Sequence, residues 1–197
     1  MKSAWYDENT LPDNMVKGVD GSLGWPKLEK STHFRYLKEA IDICDGNRLI
    51  DLGCGGGEVG RVFSDLQYVG YDLPHIIKKV SKVVNPELNY HSFDAYETDF
   101  EFVKGSDIIL SNSFITELTN CTNILGKIIN KAENFIILHR QKFKDSEVVD
   151  IYNTYGGLKT TNCAISNTEF LKLIENKFDV VYDVEYDDMK TIIIKKK

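Results

Sequence analysis

Short apolar runs alternate with segments of helical periodicity along most of this chain. Five runs have the length and apolar content of strands, at 49–52, 67–72, 88–93, 106–111 and 134–138. Apolar residues spaced three and four apart predict helices between them, near 31–44, 57–65, 74–84, 96–105 and 115–130. Strands that alternate with helices predict a parallel, doubly wound sheet with right-handed crossovers.

The last third of the chain has a different pattern. Residues 141–165, which include Tyr155, Gly156 and Gly157, are predicted as loop or short helix. Ser166 and Glu169 have the spacing of a capping box that opens a helix. Runs at 178–186 and 189–196 predict a hairpin that turns at Asp187 and Asp188. The predicted fold class is α/β, a doubly wound, mostly parallel seven-stranded sheet that ends in an antiparallel hairpin.

The first 30 residues contain large side chains without a sustained period. These side chains belong to Trp5, Tyr6, Leu11, Met15, Leu23 and Trp25. Side chains of this size need to be buried. They either pack against the domain or form a lid over a site, and the second alternative is considered because loops often carry function. We therefore divide one globular unit into an N-terminal lid and helix segment, 1–47, and a ligand-binding domain, 48–197.

A glycine cluster follows the first strand, from Gly53 to Gly60. Glycine allows positive φ and close approach of a ligand, and open α/β sheets hold their ligands at this kind of turn. A dinucleotide site favours G-x-G-x-x-G directly after the strand. Counted from Gly53, the third glycine position is Glu58, and the glycines that satisfy the spacing begin two residues late.

Asp51 favours a different cofactor. A carboxylate beside two phosphates is repelled, whereas S-adenosylmethionine carries an ammonium and a sulfonium and no phosphate. The pattern D-x-G-x-G-x-G from Asp51 therefore predicts S-adenosylmethionine, and an NAD-dependent oxidoreductase is the less favoured alternative. Asp72 lies 19 residues after Gly53, near the offset of about 20 at which an acid reaches a ribose hydroxyl. It also precedes Leu73 and Pro74, so it is equally placed to cap a helix.

Composition narrows the choice of partners. The formal net charge is −6, which disfavours nucleic acid because phosphate neutralisation needs clustered Lys and Arg. No apolar run approaches the roughly 20 residues that span a bilayer, and residues 1–8 do not resemble a signal peptide. The cysteines are far apart, without C-x-x-C, at Cys44, Cys54, Cys121 and Cys163. This spacing argues against a disulfide framework or metal cluster and for a reducing, cytoplasmic location.

The order of elements resembles that of class I S-adenosylmethionine-dependent methyltransferases, whose Rossmann-like sheet ends in such a hairpin. Three stretches within 48–197 are similar to bacterial sugar O-methyltransferases of surface-polysaccharide gene clusters. Tyr71-Asp72-Leu73-Pro74 resembles their D-L-P after the second strand, and Asn112 to Glu117 resembles their N-x-x-x-x-E after the fourth. His139-Arg140 falls where they often have N-R. The chain lacks the longer N-terminal region of those enzymes.

This resemblance implies methyl transfer from S-adenosylmethionine to a hydroxyl of a sugar or other small acceptor. It places Asp51, Gly53, Cys54 and Gly55 at the methionine end, and Asp72 and Leu73 at the ribose. It places Asp94 at the adenine amino group, Phe93 or Ala95 against the ring, and Ser111 and Asn112 under the sulfonium. A catalytically silent, methyltransferase-like binding protein is an alternative.

Methyl transfer to a hydroxyl benefits from a base. His139 is the leading candidate, because its ordinary pKa near 6.5 suits neutral pH; the alternative is a histidine satisfied by backbone at a strand end. Glu117 is the second candidate, and on a first helical turn it could equally serve as a dipole partner. Arg140 could neutralise an acidic sugar or phosphate or pair with surface carboxylates, and we favour pairing. His33, His75 and His91 share no motif, so no metal site is predicted.

Overall fold

The computed structural model describes residues 4–154 and 157–197. The first three residues of the predicted N-terminal segment, and Tyr155 and Gly156 of the predicted loop, lie outside the described residues. The strands are β1 Arg48–Leu52, β2 Gln67–Asp72, β3 Asn89–Ser92, β4 Ile108–Asn112, β5 Phe135–Lys144, β6 Val148–Thr154, β7 Leu158–Ser166, β8 Phe178–Tyr186 and β9 Met189–Lys196.

Helices connect and cover these strands. They are α1 Thr10–Val19, α2 Phe34–Ile43, α3 Glu58–Val62, α4 Pro74–Ile76, α5 Lys82–Val84, α6 Cys121–Lys131 and α7 Asn167–Ile174. A π-helical segment, Ile77–Ser81, joins α4 to α5. Short 3₁₀ helices lie at Ala4–Tyr6, Leu28–Lys30, Glu101–Val103 and Ile115–Glu117. In the part of the chain that the structure describes, no helix has the length and apolar content needed to cross a bilayer.

The sheet confirms the predicted doubly wound arrangement. Strands β3, β2, β1, β4 and β5 lie side by side in that order and run parallel. Strand β9 then pairs antiparallel with β5, and β8 pairs antiparallel with β9. The turn between them has positive φ at Asp187 and Asp188, so the predicted hairpin is confirmed. The carboxyl ends of the parallel strands meet at one edge of the sheet, where ligands bind in such folds.

Period-two alternation of apolar residues gives the sheet two buried faces. Ile108 and Leu110 of β4 pack on the face covered by α2, whereas Ile109 between them packs on the opposite face with Ile124 and Ile128 of α6. All three β4 side chains are at most 1% exposed. A strand buried on both sides is typical of a parallel sheet covered by helices. This double burial fixes the register of β4, and with it the position of the polar residues at its carboxyl end.

The sheet has nine strands rather than the predicted seven. Residues predicted as loop or short helix form the end of β5 and the hairpin of β6 and β7. Strand β7 pairs parallel with β5 over Lys142–Lys144, and β6 pairs antiparallel with β7. This hairpin is termed the inserted hairpin below. Polar residues within its strands, such as Asp150, Asn153 and Thr160, conceal the strand pattern.

The N-terminal segment was predicted as irregular, but it contains the ten-residue helix α1. Leu11 and Met15 of α1 are buried against Ile76 and Val80. The segment has few inward apolar positions and includes Gly18, so helical periodicity is weak in its sequence. Its burial against the π-helical region, rather than its own propensity, accounts for the helix.

Two of the four cysteines form a disulfide. Cys121, the first residue of α6, is bonded to Cys163 of β7, 42 residues away. Cys44 and Cys54 are free and buried. The prediction of unpaired cysteines is therefore wrong for this pair, because residues distant in sequence are brought together by the inserted hairpin. Glu147 lies close to both sulfurs, but sulfurs bonded to each other are not thiolate ligands.

Candidate functional site

A cavity opens at the carboxyl ends of the parallel strands, beneath the N-terminal segment. It encloses about 760 Å³, including the space at its open mouth. The wall is formed by Trp5, Tyr6, Met15, Gly53, Gly55, Asp72, Leu73, Phe93, Asp94, Ala95, Tyr96, Asn112, Ser113, Phe114, Glu117 and Leu118.

Most of the predicted site residues meet at this cavity. Those in its wall are Gly53, Gly55, Asp72, Leu73, Phe93, Asp94, Ala95, Asn112 and Glu117. Those outside its wall are Asp51, Cys54, Ser111 and His139. The strands β1 to β4 place the first group. All of these residues except Glu117 lie at a strand end or in the turn that follows, and Glu117 lies in the 3₁₀ helix after β4.

The glycine turn has a backbone that only glycine adopts comfortably. Gly53 has φ of 70° and Gly55 has φ of 52°. A Cβ atom built on Gly53 would lie 2.6 Å from Cδ2 of Phe114, which is too close for any side chain. The N–H of Gly53 donates to the carbonyl of Tyr71 at 2.8 Å. The turn therefore presents bare backbone to the cavity, as a closely held ligand requires.

Asp72 is held rigidly at the end of β2. Its Oδ2 accepts the N–H of Gly55 at 2.8 Å, and its Oδ1 accepts the N–H of Leu73 at 2.7 Å. Burial raises the pKa of Asp72 to about 6, and these two backbone donors oppose the rise. The carboxylate thus ties the glycine turn to the second strand while facing the cavity.

Asp94 and the N-terminal segment close the opposite side of the cavity. Oδ2 of Asp94 accepts a hydrogen bond from the hydroxyl of Tyr6 at 2.8 Å, and Oδ1 accepts one from the N–H of Tyr96 at 2.9 Å. The backbone carbonyl of Trp5 lies 2.9 Å from Nε2 of His75. The sequence predicts that Trp5, Tyr6 and Met15 either pack against the domain or form a lid over a site. The structure places all three in the cavity wall, and movement of this segment as a lid stays a prediction.

Glu117 faces the cavity from the 3₁₀ helix Ile115–Glu117. The predicted helix over 115–130 begins only at Cys121, so Glu117 is not on the first turn of a long helix. Its carboxylate accepts hydrogen bonds from the hydroxyl groups of Tyr152 and Thr160, the latter at 3.0 Å. Burial raises the pKa of Glu117, and these hydrogen bonds and the charge of Arg140 oppose the rise. Sequence reasoning missed both donors because they belong to the inserted hairpin.

His139 does not reach the cavity. It is fully buried on β5, with Nδ1 at 2.8 Å from the hydroxyl oxygen of Thr191 and 3.2 Å from that of Tyr186. Burial, with smaller contributions from the nearby His33 and Arg140, lowers the pKa of His139 to about 2. Its side chain shares the face of Ile137, toward α2. The alternative of backbone satisfaction is also wrong, since its partners are side-chain hydroxyls.

Three other predicted residues have roles beneath the cavity wall. Asp51 is 2% exposed and accepts the hydroxyl of Tyr68 at 2.9 Å. Ser111 accepts the N–H of Ile115 at 3.2 Å through its Oγ. Cys54 is a free, buried thiol. These contacts hold the turns after β1 and β4, so the three residues act on the cavity through its supporting structure.

Burial of Asp51 makes stability depend on pH. Its pKa is raised from 3.8 to about 7 by burial, against the hydrogen bond from Tyr68. In the unfolded chain the carboxyl ionises near its ordinary value, so the folded state binds more protons between about pH 4 and 7. Stability should fall as pH rises through this window and level off above it. Asp51→Asn should reduce that fall, with Asp72 supplying what remains, since its pKa is raised in the same direction.

Thermal unfolding of the wild type and the Asp51→Asn variant, at about pH 5 and about pH 8, measures this difference. The exposed residue Asp179 offers a control, because Asp179→Asn should leave the pH dependence unchanged. An identical loss of unfolding temperature in wild type and Asp51→Asn would show that Asp51 does not ionise in this window.

The cavity wall carries charge of one sign. Its carboxylates belong to Asp72, Asp94 and Glu117, and no lysine, arginine or histidine lines it within 4–154 and 157–197. Asn112 also contributes an Oδ1 atom that is buried without a hydrogen-bond partner. Such a cavity attracts a cation and offers acceptors to hydrogen-bond donors, and it repels phosphate groups.

Several solved structures with the same fold are named as methyltransferases. An S-adenosylmethionine-dependent methyltransferase from Mesorhizobium loti has 12% identity and a TM-score of 0.64, covering 86% of this chain and 100% of that chain. CalS10, an amino pentose methyltransferase from Micromonospora echinaspora, has 13% identity and a TM-score of 0.60, and the match covers 85% of this chain and 92% of that chain. The N-terminal domain of EvdMO1, solved in the presence of SAH and D-fucose, has 13% identity and a TM-score of 0.54, covering 83% and 80%.

The sequence matches no protein-family model and no curated protein. At identities this low, the structural likeness establishes the Rossmann-like α/β fold and confirms the predicted fold class apart from the strand count. Activity and ligand must be argued from the cavity itself.

Proposed function

We propose that this protein is an S-adenosylmethionine-dependent methyltransferase that acts on a hydroxyl group of a sugar or another small acceptor. The observation that carries the proposal is the cavity at the strand ends, with three carboxylates and bare glycine backbone in its wall. S-adenosylmethionine combines a sulfonium and an ammonium with a ribose and an adenine, which present hydrogen-bond donors. Two structural neighbours that are named as methyltransferases, one of them for an amino pentose, support the same choice, as does a third that was solved in the presence of SAH and D-fucose.

The residues of the wall fit such a cofactor. Asp72 would accept the ribose hydroxyls, and Asp94 would accept the adenine amino group, with Phe93 or Ala95 against the ring. The bare backbone of Gly53 and Gly55 would border the methionine end. The unpartnered Oδ1 of Asn112 is a buried acceptor of the kind that needs a ligand or water. When bound, the cofactor supplies the methyl group.

An NAD site fits the same cavity poorly. A pyrophosphate needs free backbone N–H groups at the glycine turn, but the N–H of Gly55 already donates to Asp72. Asp72, Asp94 and Glu117 would all repel its phosphates, and no cation in the described part of the wall offsets them. These contacts favour the cationic cofactor on grounds independent of Asp51, which lies behind the wall.

Glu117 is the proposed base. A hydroxyl that attacks a methyl group loses its proton in the step, and a carboxylate with a raised pKa accepts that proton more readily than an ordinary one. Glu117 faces the cavity, and two hydroxyl groups of the inserted hairpin fix its carboxylate. Glu117 therefore takes the role that the sequence assigned first to His139.

Asp72→Ala should weaken binding of S-adenosylmethionine by about 10- to 100-fold, since a hydrogen bond to a charged group contributes about 1.5–3 kcal/mol. Isothermal titration calorimetry measures the affinity of the wild type and the variant. Asp42→Ala on the exposed side of α2 is the control, and it should bind like the wild type.

Two outcomes would count against the proposal at different levels. Wild-type protein that gives no heat with S-adenosylmethionine or its demethylated product would refute the cofactor. Equal affinity in the wild type and Asp72→Ala would remove Asp72 from the site while leaving the cofactor in place. Binding without methyl transfer to any acceptor in a panel of sugars and nucleotide sugars would favour the silent binding protein.

A further inference from the structure

Among the residues that the structure describes, Arg140 forms no ion pair. Its Nε is buried without a hydrogen-bond partner, and none of the carboxylates that the structure describes lies within 4 Å of its side chain. The expected pairing with surface carboxylates is therefore wrong. A partly buried guanidinium nearly always has an anionic or carbonyl partner in proteins. Its absence here calls for a ligand that supplies one.

The backbone holds Arg140 in a conformation that needs a reason. Its φ is 57°, a left-handed value that is unusual for a residue with a side chain. The register of β5 against β9 shifts between Leu138 and Gln141, so Arg140 lies in a bulge. Its N–H donates to the hydroxyl of Tyr186 at 3.3 Å, and its carbonyl accepts the hydroxyl of Thr116 at 3.3 Å. Bulges and left-handed residues are concentrated near functional sites, where they aim a side chain.

Two histidines lie beside this arginine. The rings of His33 and His139 are 5.4 Å apart between centroids. Nε2 of His139 is buried without a partner, while Nδ1 lies near two hydroxyl groups. When Nδ1 accepts from one of these hydroxyls, Nε2 carries the hydrogen and becomes a donor that lacks an acceptor. The pKa of His33 is lowered to about 4 by burial and by Arg140, against the charge of Asp187, so both rings are neutral near pH 7.

The helix α2 starts at the same place. His33 occupies its N-cap position, and no side chain caps the helix there. The first turn of α2 also contains no acidic residue. The N–H of Phe34 donates to the carbonyl of Ser31 at 3.1 Å, and that of Tyr36 donates to the carbonyl of His33 at 3.1 Å. The helix therefore favours an anion through its dipole, which adds to the charge of the guanidinium.

This group of residues adjoins the cavity. Asn112, in the cavity wall, is the register partner of His139 on the neighbouring strand. Ser113, also in the wall, donates its N–H to the carbonyl of His139 at 3.0 Å. The charge of Arg140 also lowers the pKa of Glu117. Arg140 and His33 are both partly exposed, so the group opens to solvent on their side.

We propose that Arg140 and His33, backed by Nε2 of His139 and the N-terminus of α2, form a binding site for an oxyanion, a phosphate or a carboxylate. The anion is part of the methyl acceptor, a point that rests on the proposed function. A negatively charged sugar, bound by its anionic group here, would present a hydroxyl toward Glu117. The acidic cavity takes the cationic cofactor, and the basic site takes the anionic end of the acceptor.

Nuclear magnetic resonance of the histidine rings tests the site directly. Inorganic phosphate and acetate, titrated separately, should shift the ring signals of His33 and His139 in a saturable way. His75 and His91 lie elsewhere and serve as internal controls. A response to phosphate alone identifies a phosphate site, and a response to acetate alone identifies a carboxylate site. No response to either anion, or an equal response of all four histidines, would overturn the proposal.

Arg140→Gly is the sharpest variant, because glycine adopts the positive φ of this position without strain. It should fold at least as well as the wild type and bind phosphate or acetate about 10- to 100-fold more weakly, as expected from loss of charge-assisted hydrogen bonds. Arg48→Gln, at the opposite end of the parallel strands, is the matched control and should bind like the wild type. Unchanged anion binding in folded Arg140→Gly would overturn the proposal.

A separate experiment tests whether the bound anion is part of the methyl acceptor. With wild-type protein, methyl uptake is compared for neutral sugars and for the same sugars bearing a phosphate or carboxylate. Arg140→Gly should lower kcat/KM for the charged acceptor by a larger factor than for its neutral counterpart, whose turnover changes only through the effect of Arg140 on the pKa of Glu117. An equal loss for both would refute the role in acceptor binding. Failure to bind S-adenosylmethionine would refute the proposed function alone, because the histidine signals report on the anion site without it.

Discussion

Glu117→Gln is expected to slow methyl transfer by about 10²- to 10⁴-fold, the usual contribution of general base catalysis. Glutamine keeps the shape of the side chain and can still contact Tyr152 and Thr160, but it cannot accept the proton of the hydroxyl. S-adenosylmethionine should bind the variant with an affinity within about twofold of the wild type, because the lost interaction belongs to the transition state. Single-turnover kinetics and calorimetry together separate the two effects.

The pH profile gives an independent readout of the same group. The base must be ionised to act, so kcat/KM should rise with pH through the pKa of Glu117. Burial raises that pKa above the ordinary glutamate value of 4.5, so the acidic limb should lie above the usual glutamate range. The residual activity of Glu117→Gln should lack this limb. A flat profile in the wild type would argue that another group takes the proton.

Two control variants sharpen the experiment. Glu97→Gln changes an exposed carboxyl near the cavity that does not line it, and it should retain full activity. Tyr152→Phe removes a donor that positions Glu117, and it should lower kcat less than Glu117→Gln while moving the acidic limb to higher pH. Wild-type turnover in Glu117→Gln would exclude Glu117 as the base.

Reduction of the disulfide between Cys121 and Cys163 is expected to lower the free energy of unfolding by about 4 kcal/mol, from the chain entropy of a closed loop of this length. The bond joins residues 42 apart in sequence, so the unfolded chain gains considerable freedom when it is cut. In a chain of this size, about 8–16 °C of unfolding temperature should be lost. Denaturant unfolding with and without a non-thiol reductant measures the difference.

The double variant Cys121→Ala, Cys163→Ala controls for effects of the reductant. Its unfolding midpoint should be the same with and without reductant, and close to that of the reduced wild type. Thiol titration of the untreated wild type under denaturing conditions should detect only the thiols of the free cysteines, Cys44 and Cys54. Four titratable thiols in the untreated wild type would contradict the disulfide. So would an unfolding midpoint of the wild type that is the same with and without reductant.

The parallel part of the fold was predictable because burial dictates its sequence. Strands covered on both faces must be continuously apolar, as Ile108 to Leu110 are, and intervening helices must repeat near 3.6 residues. The inserted hairpin was not predictable in this way. Its strands carry polar residues such as Asp150, Asn153 and Thr160. They are held by distant partners, Glu117 and Cys121, that no local pattern reveals. The disulfide also removes the basis on which cysteine spacing favoured a reducing compartment.

The candidate site was predicted where position along the sheet decides it. Gly53, Asp72 and Asp94 follow strands whose carboxyl ends lie side by side, so the topology alone brings them together. His139 shows the limit of this rule, because successive residues of a strand point to opposite faces. Its parity with Phe135 and Ile137 places it toward α2, a signal present in the sequence but not used. The contact of Tyr6 with Asp94 could not be predicted from the sequence, because the two residues are 88 positions apart.

The inserted hairpin is one unbroken segment between β5 and α7, added beside a sheet that is complete without it. The strands that surround Asp72 and Asp94 do not depend on it, whereas the surroundings of Glu117 do. The residues that surround Asp72 and Asp94 and those that hold the carboxylate of Glu117 therefore come from separate stretches of the sequence. Under the proposed function, substitutions in the inserted hairpin should change the surroundings of the proposed base Glu117 and leave the contacts of Asp72 and Asp94 unchanged.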